Sequence, residues 1–367
     1  MADRELSKQG IVKYVSIVAA RKVARTAVKA LPLKNKNFKK SEVKTILFIQ
    51  LYGIGDYLMS TPAISAIAKE FPKAKKILLC KKHSSDIAKL NPKIDEILTD
   101  SKKIGRPDLA VSLNDSVEST IIALKSRPKY LIGFLKGENV EANFKIKKFC
   151  GGEKKPWVEN YLLIPKAIGI RAKNKAYSLK IKKSKKVFEI IRKKGLSNFA
   201  VLNPNTREGA GAKNWGNKNY ALLAEKLIEN GVKIVFCGGK GEHESKKTID
   251  LIKSKNKTEK VTDLTGKLSL GEVVYLLSRA KLFVGNDTGL MHISLAVKCP
   301  TITVFGPTNS KILFPKNSDK TKEFAFQVKN KEWPSYTRGT FGIKQNQNYM
   351  DSIAPETVFR KSLEMIK

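Results

Sequence analysis

Lys281-Leu-Phe-Val-Gly-Asn-Asp-Thr-Gly-Leu-Met-His-Ile-Ser-Leu-Ala-Val297, followed by Pro300-Thr-Ile-Thr-Val-Phe-Gly-Pro-Thr308, is the stretch on which the reading of this chain turns. The apolar run Leu282 to Val284 predicts a buried strand. Gly285 to Gly289 predicts a turn, and Leu290 to Val297 a short helix. Thr301 to Phe305 predicts a second buried strand, closed by another turn. Such a strand–loop–helix–strand unit collects its polar residues at the carboxyl ends of its strands, the edge where open α/β sheets bind ligands. Asp287, Thr288, Gly289 and His292 crowd one helix start. Free backbone N–H groups and the helix dipole favour an anion there, so a phosphate-binding helix start is expected.

The same alternation extends outward. Upstream come helix Val187–Lys194, strand Phe199–Asn203, helix Tyr220–Asn230, strand Lys233–Cys237, helix Glu244–Ser254 and a helix at Leu270–Arg279. The charged, weakly periodic stretch Arg171 to Lys186 reads as an interdomain connection. Before it lie strand Thr45–Gln50, a helix from Asp56 to Phe71 with Pro62 placed near its start, and strand Lys76–Cys80. Asp95–Leu98, Leu109–Leu113, Ser116–Lys125 and Tyr130–Phe134 continue the pattern. Alternation of this kind argues a parallel, helix-covered sheet in each half. The expected divisions are a basic extension (1–40), a first Rossmann-like domain with linker (41–185), a second (186–345), and a C-terminal helix (346–367) that could pack back on the first domain.

The 367 residues exceed one core, and 41% hydrophobic content is enough to build two. The net charge of +38 points to anionic partners. Nucleic acid, an anionic membrane surface and a generally basic surface compete, and no nucleic-acid reader motif is present. Residues 10–31 predict a helix with Arg21, Lys22, Arg25 and Lys29 on one face, suited to an anionic membrane interface or to packing on the protein. No signal peptide is read, and the uncharged run Tyr14 to Ala20 is too short to span a bilayer. Cys80, Cys150, Cys237 and Cys299 are scattered, which argues against a disulfide framework or a zinc site.

A second glycine loop, Tyr52-Gly-Ile-Gly-Asp56, follows the first strand and opens a helix. Gly53 and Gly55 allow backbone to approach a ligand. The dinucleotide fingerprint is absent, because Leu58 stands where its third glycine belongs. Taken alone, Asp56 at a helix start reads as an N-cap. Each half therefore offers a strand, a Gly/Asp loop and a helix, and two such edges can face each other across a cleft.

Ile46 to Ile64, Thr262-Asp-Leu-Thr-Gly-Lys-Leu-Ser-Leu-Gly-Glu272, Val284 to His292 and Phe305-Gly-Pro-Thr308 resemble, in order, the signatures of the heptosyltransferase family, glycosyltransferase family nine. The resemblance implies a GT-B fold, two Rossmann-like domains facing across a cleft. It implies sugar transfer with inversion from a nucleotide-diphospho-sugar, ADP-heptose by family default, to a lipopolysaccharide-core-type acceptor. Asp56 matches the family's base. Asp287, Thr288 and Gly289 match its diphosphate loop, and His292 could bond phosphate or orient that loop. An anionic Asp287 beside a diphosphate would be repulsive, so its carboxylate is expected to cap the helix or hold the loop. Lys213-Asn-Trp215 resembles the family's Lys-x-Trp-Pro, with Lys213 neutralising the diphosphate and Gly216 replacing proline. Thr206 is a candidate phosphate donor, and Glu244 matches the acid on the donor's ribose. No cofactor and no metal are expected, because no Asp-x-Asp pair stands where a cation would sit. The acceptor pocket is expected near Asn114-Asp-Ser116 and Phe134. The expected partners are the donor, an anionic glycolipid acceptor and the inner face of the cytoplasmic membrane; the alternatives are a catalytically silent GT-B binding protein and, least, a nucleic-acid binder.

Overall fold

The computed structural model describes residues 38–136, 142–146, 156–206, 211–253, 257–315, 322–328 and 348–366. The residues predicted to form the basic N-terminal helix, and Cys150, lie outside them. In the first unit Phe38 packs edge-on against Tyr130 at 5.0 Å between ring centroids. Its elements are β1 (Thr45–Gln50), α1 (Ile54–Glu70), β2 (Lys75–Cys80), α2 (Lys82–Ala88), β3 (Glu96–Leu98), β4 (Leu109–Ser112), α3 (Val117–Lys125), β5 (Tyr130–Gly133), β6 (Phe144–Lys145), α4 (Trp157–Tyr161) and α5 (Leu163–Ala167). The second comprises α6 (Lys185–Lys193), β7 (Phe199–Asn203), α7 (Asn217–Glu229), β8 (Lys233–Phe236), α8 (Glu244–Lys253), β9 (Val261–Asp263), α9 (Leu270–Arg279), β10 (Leu282–Asn286), α10 (Gly289–Ala296), β11 (Thr301–Phe305), α11 (Ser310–Leu313), β12 (Glu323–Gln327) and α12 (Pro355–Ile366).

Each unit holds one parallel sheet. The strand orders are β3-β2-β1-β4-β5-β6 and β12-β11-β10-β7-β8-β9, so both follow the doubly wound pattern with its switch point at the first strand. The central strands are apolar on both faces because helices cover both faces; β1, β7, β10 and β11 are almost wholly buried. β10 runs two residues past the expected end, through Gly285 and Asn286. Gly285 pairs with Thr303 on one side and Asn203 on the other, and the Phe283 ring fills the space a side chain would need.

Pro62 lies well inside α1 rather than near its start. The hydrogen bond its missing N–H would make to Leu58 is replaced by the Thr61 hydroxyl, which donates to the Leu58 carbonyl at 2.7 Å. Thr61 also accepts the Ser178 N–H at 3.0 Å, which pins the interdomain connection to α1. That connection has no helix or strand between Ala172 and Ser184, as its charge and weak periodicity predict.

The C-terminal helix departs from expectation. Val358, Ser362 and Met365 form one buried stripe of α12, and it packs on α7 and the second core, not on the first unit. Just before it, the Ile353 carbonyl accepts the buried Trp215 indole N–H at 2.8 Å. The two units are nevertheless joined. One apolar cluster contains Tyr57, Leu58, Ile64 and Ile67 of α1 together with Met291, Ile293 and Leu295 of α10.

Candidate functional site

The carboxyl edge of the first sheet is held by buried amides. Gln50, the last residue of β1, and Asn114, two residues past β4, bond each other across the switch point, and Asn114 also accepts the Leu51 N–H. Gln50 accepts from Tyr52 N–H at 3.3 Å. This fixes where the chain turns into Gly53 and α1, and puts Asp56 in the first turn of that helix. A carboxylate there is favoured by the helix dipole. Beside it, the Tyr52 hydroxyl donates to Asp115 at 2.7 Å, on the edge where the acceptor pocket is expected.

The second edge repeats the device. Asn286 is fully buried; its side chain accepts the Trp215 N–H and the Tyr220 hydroxyl, both at 3.1 Å, and donates to the Pro204 carbonyl at 3.1 Å. Asn203 donates to the Thr288 hydroxyl at 3.2 Å, and Asn205 donates to Ser245 at 2.7 Å. These bonds draw the loops after β7, β8 and β10 together around the start of α10. Composition gives no hint of this, but the signal is legible: an amide ending an otherwise apolar strand.

Within that frame the Lys213 ammonium donates to Asp287 at 2.6 Å, and the Thr308 hydroxyl donates to the same oxygen at 2.8 Å. Burial pushes the Asp287 carboxyl up, but the Lys213 charge and its hydrogen bond, with Thr308, outweigh this and hold it below its ordinary value. Asp287 therefore holds the loop. It does not cap α10, whose N-cap is Thr288, with no side-chain cap bond. Gly216 adopts φ +98°, which proline cannot, so the turn after Trp215 differs from a Lys-x-Trp-Pro turn. Thr206 follows Asn205 at the same edge, partly buried.

Glu244 opens α8, and both its oxygens are engaged, one by Asn217 at 2.6 Å and one by Lys247 at 2.8 Å. The acid closer to the glycines after β8 is Glu242, which accepts the Gly239 N–H at 2.8 Å. A methyl group on Gly238 would lie 2.3 Å from its Oε2 and 2.6 Å from Asn205 Nδ2. Burial pushes the Glu242 carboxyl up. The sequence does not single it out, because two acids stand with only His243 between them and only the fold separates their environments. In the Thr262–Glu272 motif, Ser269 and Glu272 form a capping box at the start of α9.

The two edges meet. A side chain on Gly55 would come within 2.5 Å of the His292 ring, and one on Gly289 within 3.2 Å of Ile54, so the starts of α1 and α10 touch through glycine gaps. His292 Nδ1 lies 3.0 Å from the Tyr177 hydroxyl of the connection. Burial holds that phenol protonated, so it donates to Nδ1 and leaves the ring's proton on Nε2, facing Gly55. Burial also lowers the His292 pKa to about 4, against the pull of Asp287. The imidazole is thus neutral, and it keys one unit to the other instead of offering a charge.

Known proteins share this architecture. Lipooligosaccharide heptosyltransferase 2 of Campylobacter jejuni is 27% identical over 283 residues, covering 73% of this chain and 84% of that one. Lipopolysaccharide heptosyltransferase 3 of Escherichia coli is 26% identical over 285 residues, covering 70% and 81%. Among solved structures, a family 9 glycosyl transferase from Veillonella parvula superposes with a TM-score of 0.74 at 17% identity, covering 90% of this chain and 99% of that one. ADP-heptose lps heptosyltransferase II of E. coli superposes at 0.66 with 19% identity, covering 88% and 98%. The paired parallel sheets are those of the GT-B fold. Residues 100–337 match the model of glycosyltransferase family 9 (heptosyltransferase), and the chain belongs to that family.

Proposed function

We propose that this glycosyltransferase moves heptose from ADP-heptose to a hydroxyl of a lipopolysaccharide-core-type acceptor, with inversion and without a metal ion. The observation that carries the reading is the contact between the two helix starts, which sets the Asp56 turn against the loop holding Lys213 and Asp287. Inverting displacement needs a base on one side of the reacting carbon and stabilisation of the leaving diphosphate on the other. Asp56 takes the acceptor proton. The first N–H groups of α10, the Thr288 hydroxyl and Lys213 receive the diphosphate. Lys213 has three donors, and the one given to Asp287 leaves two for phosphate oxygens. Glu242, beside Gly238 and Gly239, is the better placed acid for the donor's ribose than Glu244, whose oxygens are already bonded.

The basic charge of +38 and an anionic, lipid-anchored acceptor support a working position on the inner face of the cytoplasmic membrane. Among the described residues no helix is long and apolar enough to cross it. Screening the purified chain against nucleotide sugars tests the proposal. ADP-heptose should raise the melting temperature most, by an amount equivalent to about 2.7 kcal/mol at a hundred times Kd. Transfer should proceed in excess chelator and give the inverted anomer by NMR. Stabilisation by a different sugar nucleotide replaces the donor; retained configuration or loss of activity with chelator overturns the mechanism. Donor binding without transfer to any acceptor would favour the silent alternative.

A further inference from the structure

We infer that the end of the interdomain connection and α6 form the surface that rests on an anionic lipid bilayer. Residues 180–194 carry Lys180, Lys182, Lys183, Lys185, Lys186, Arg192, Lys193 and Lys194 against the single acid Glu189. Two large apolar side chains stand exposed in the same segment, Ile181 at 43% and Phe188 at 53%. α6 buries Val187 and half-buries Ile190 and Ile191 against the protein. Lys185, Phe188 and Arg192, spaced three and four residues apart, therefore share the opposite, outward face. Glu189 pairs with Arg192 at 2.8 Å, and Lys186 reaches the Lys267 carbonyl and Glu272. Among the described residues, no carboxylate lies within ion-pairing distance of Lys182, Lys183, Lys185 or Lys193.

An exposed aromatic ring within a block of unneutralised lysines matches the interfacial layer of an anionic membrane. The ring enters the acyl boundary while the ammonium groups stay among the headgroups. A protein partner would need carboxylates against these lysines and an apolar socket for one ring; an anionic bilayer supplies both without specific shape. Position supports the same choice. Tyr177 touches His292 on the donor wall, and Ile181 is four residues on, at most about 14 Å along an extended chain. A lipid-anchored acceptor held at this surface is within reach of the cleft.

The inference rests on the membrane-surface reading above and is tested separately from it. The full-length protein is floated with neutral vesicles and with vesicles containing about 30% phosphatidylglycerol at physiological salt. Wild type should bind only the anionic vesicles. The triple variant K182Q/K183Q/K185Q should lose partitioning by on the order of a hundredfold, at about fivefold per cation. Phe188→Ser should lose about tenfold, with less salt dependence. Both variants should keep wild-type turnover on a delipidated acceptor, since none of these residues lies in the cleft. If wild type binds and both variants bind equally well, while deletion of residues 1–37 abolishes binding, the anchor is the N-terminal extension and the inference is overturned. If wild type sediments as a dimer that Phe188→Ser dissociates, the surface is a subunit contact and the inference is likewise overturned. If wild type binds no anionic vesicle, the membrane-surface reading falls with it.

Discussion

Acidification from neutral pH to about pH 5 isolates the group that keys the two units together. His292 is 4% exposed, and its pKa falls from 6.5 to about 4 because burial disfavours the imidazolium. In the unfolded chain it titrates near 6.5. Above that value both states are neutral and the group contributes nothing to pH dependence. Below it the unfolded state gains a proton that the folded state refuses, so stability falls until the folded group protonates as well. Integrating between these values gives a loss of about 2 kcal/mol by pH 5 that levels off at roughly 3 kcal/mol once the pH falls below about 4. His83 and His243 are both exposed. Asp287, whose carboxyl is held below its ordinary value, loses its stabilising contribution only at more acid pH. Urea unfolding at about pH 7 and pH 5 is the assay, comparing wild type with His292→Asn, which keeps an acceptor for Tyr177 but cannot be protonated. The expected result is an acid loss larger by about 2 kcal/mol in wild type, whatever the variant's lower starting stability. An equal acid loss in the two proteins would refute the claim that His292 is buried and neutral in the contact.

Asp56→Asn should lower kcat by about 10²–10⁴ while leaving donor binding intact; unchanged turnover would remove Asp56 as the base. Lys213→Met leaves the Asp287 carboxylate buried without its cation, and should destabilise by about 3–5 kcal/mol besides lowering kcat. Lys213→Met/Asp287→Asn should recover much of that stability but not the activity, and a purely additive loss of stability in calorimetry would sink the pairing argument. Gly55→Val would drive a side chain into the His292 ring, so it should weaken closure and raise donor KM; small-angle scattering indistinguishable from wild type with unchanged KM would count against the interlock.

Periodicity alone places most of the strands, because central parallel strands are continuous apolar runs such as Ile46–Ile49 and Ala200–Leu202. It misses Phe144–Lys145 and Val261–Asp263, which are too short at the sheet edge to show a pattern, and Glu323–Gln327, whose neighbours are polar. The loops carrying Asp56 and Asp287 are legible because glycine, acid and helix start coincide. The pairing of Lys213 with Asp287 joins residues far apart in sequence and had no local signal. The same holds for Tyr177: a tyrosine in a charged connection looks like surface until its hydroxyl is seen against the His292 ring. Pro62 misleads for a related reason, since the compensating hydroxyl of Thr61 is visible only in the helix.

Holding the starts of α1 and α10 in contact brings two positive helix ends together. Two half-charges in near contact repel by on the order of 1 kcal/mol at an effective dielectric near 20. The apolar contact between the helices opposes that repulsion, and the Asp56 carboxylate is the resident counter-ion. An incoming diphosphate would convert one repulsion into two attractions. Closure is then responsive to ligand charge as much as to ligand shape: a neutral sugar could fill the cleft without tightening it, whereas an anion would act as the clasp.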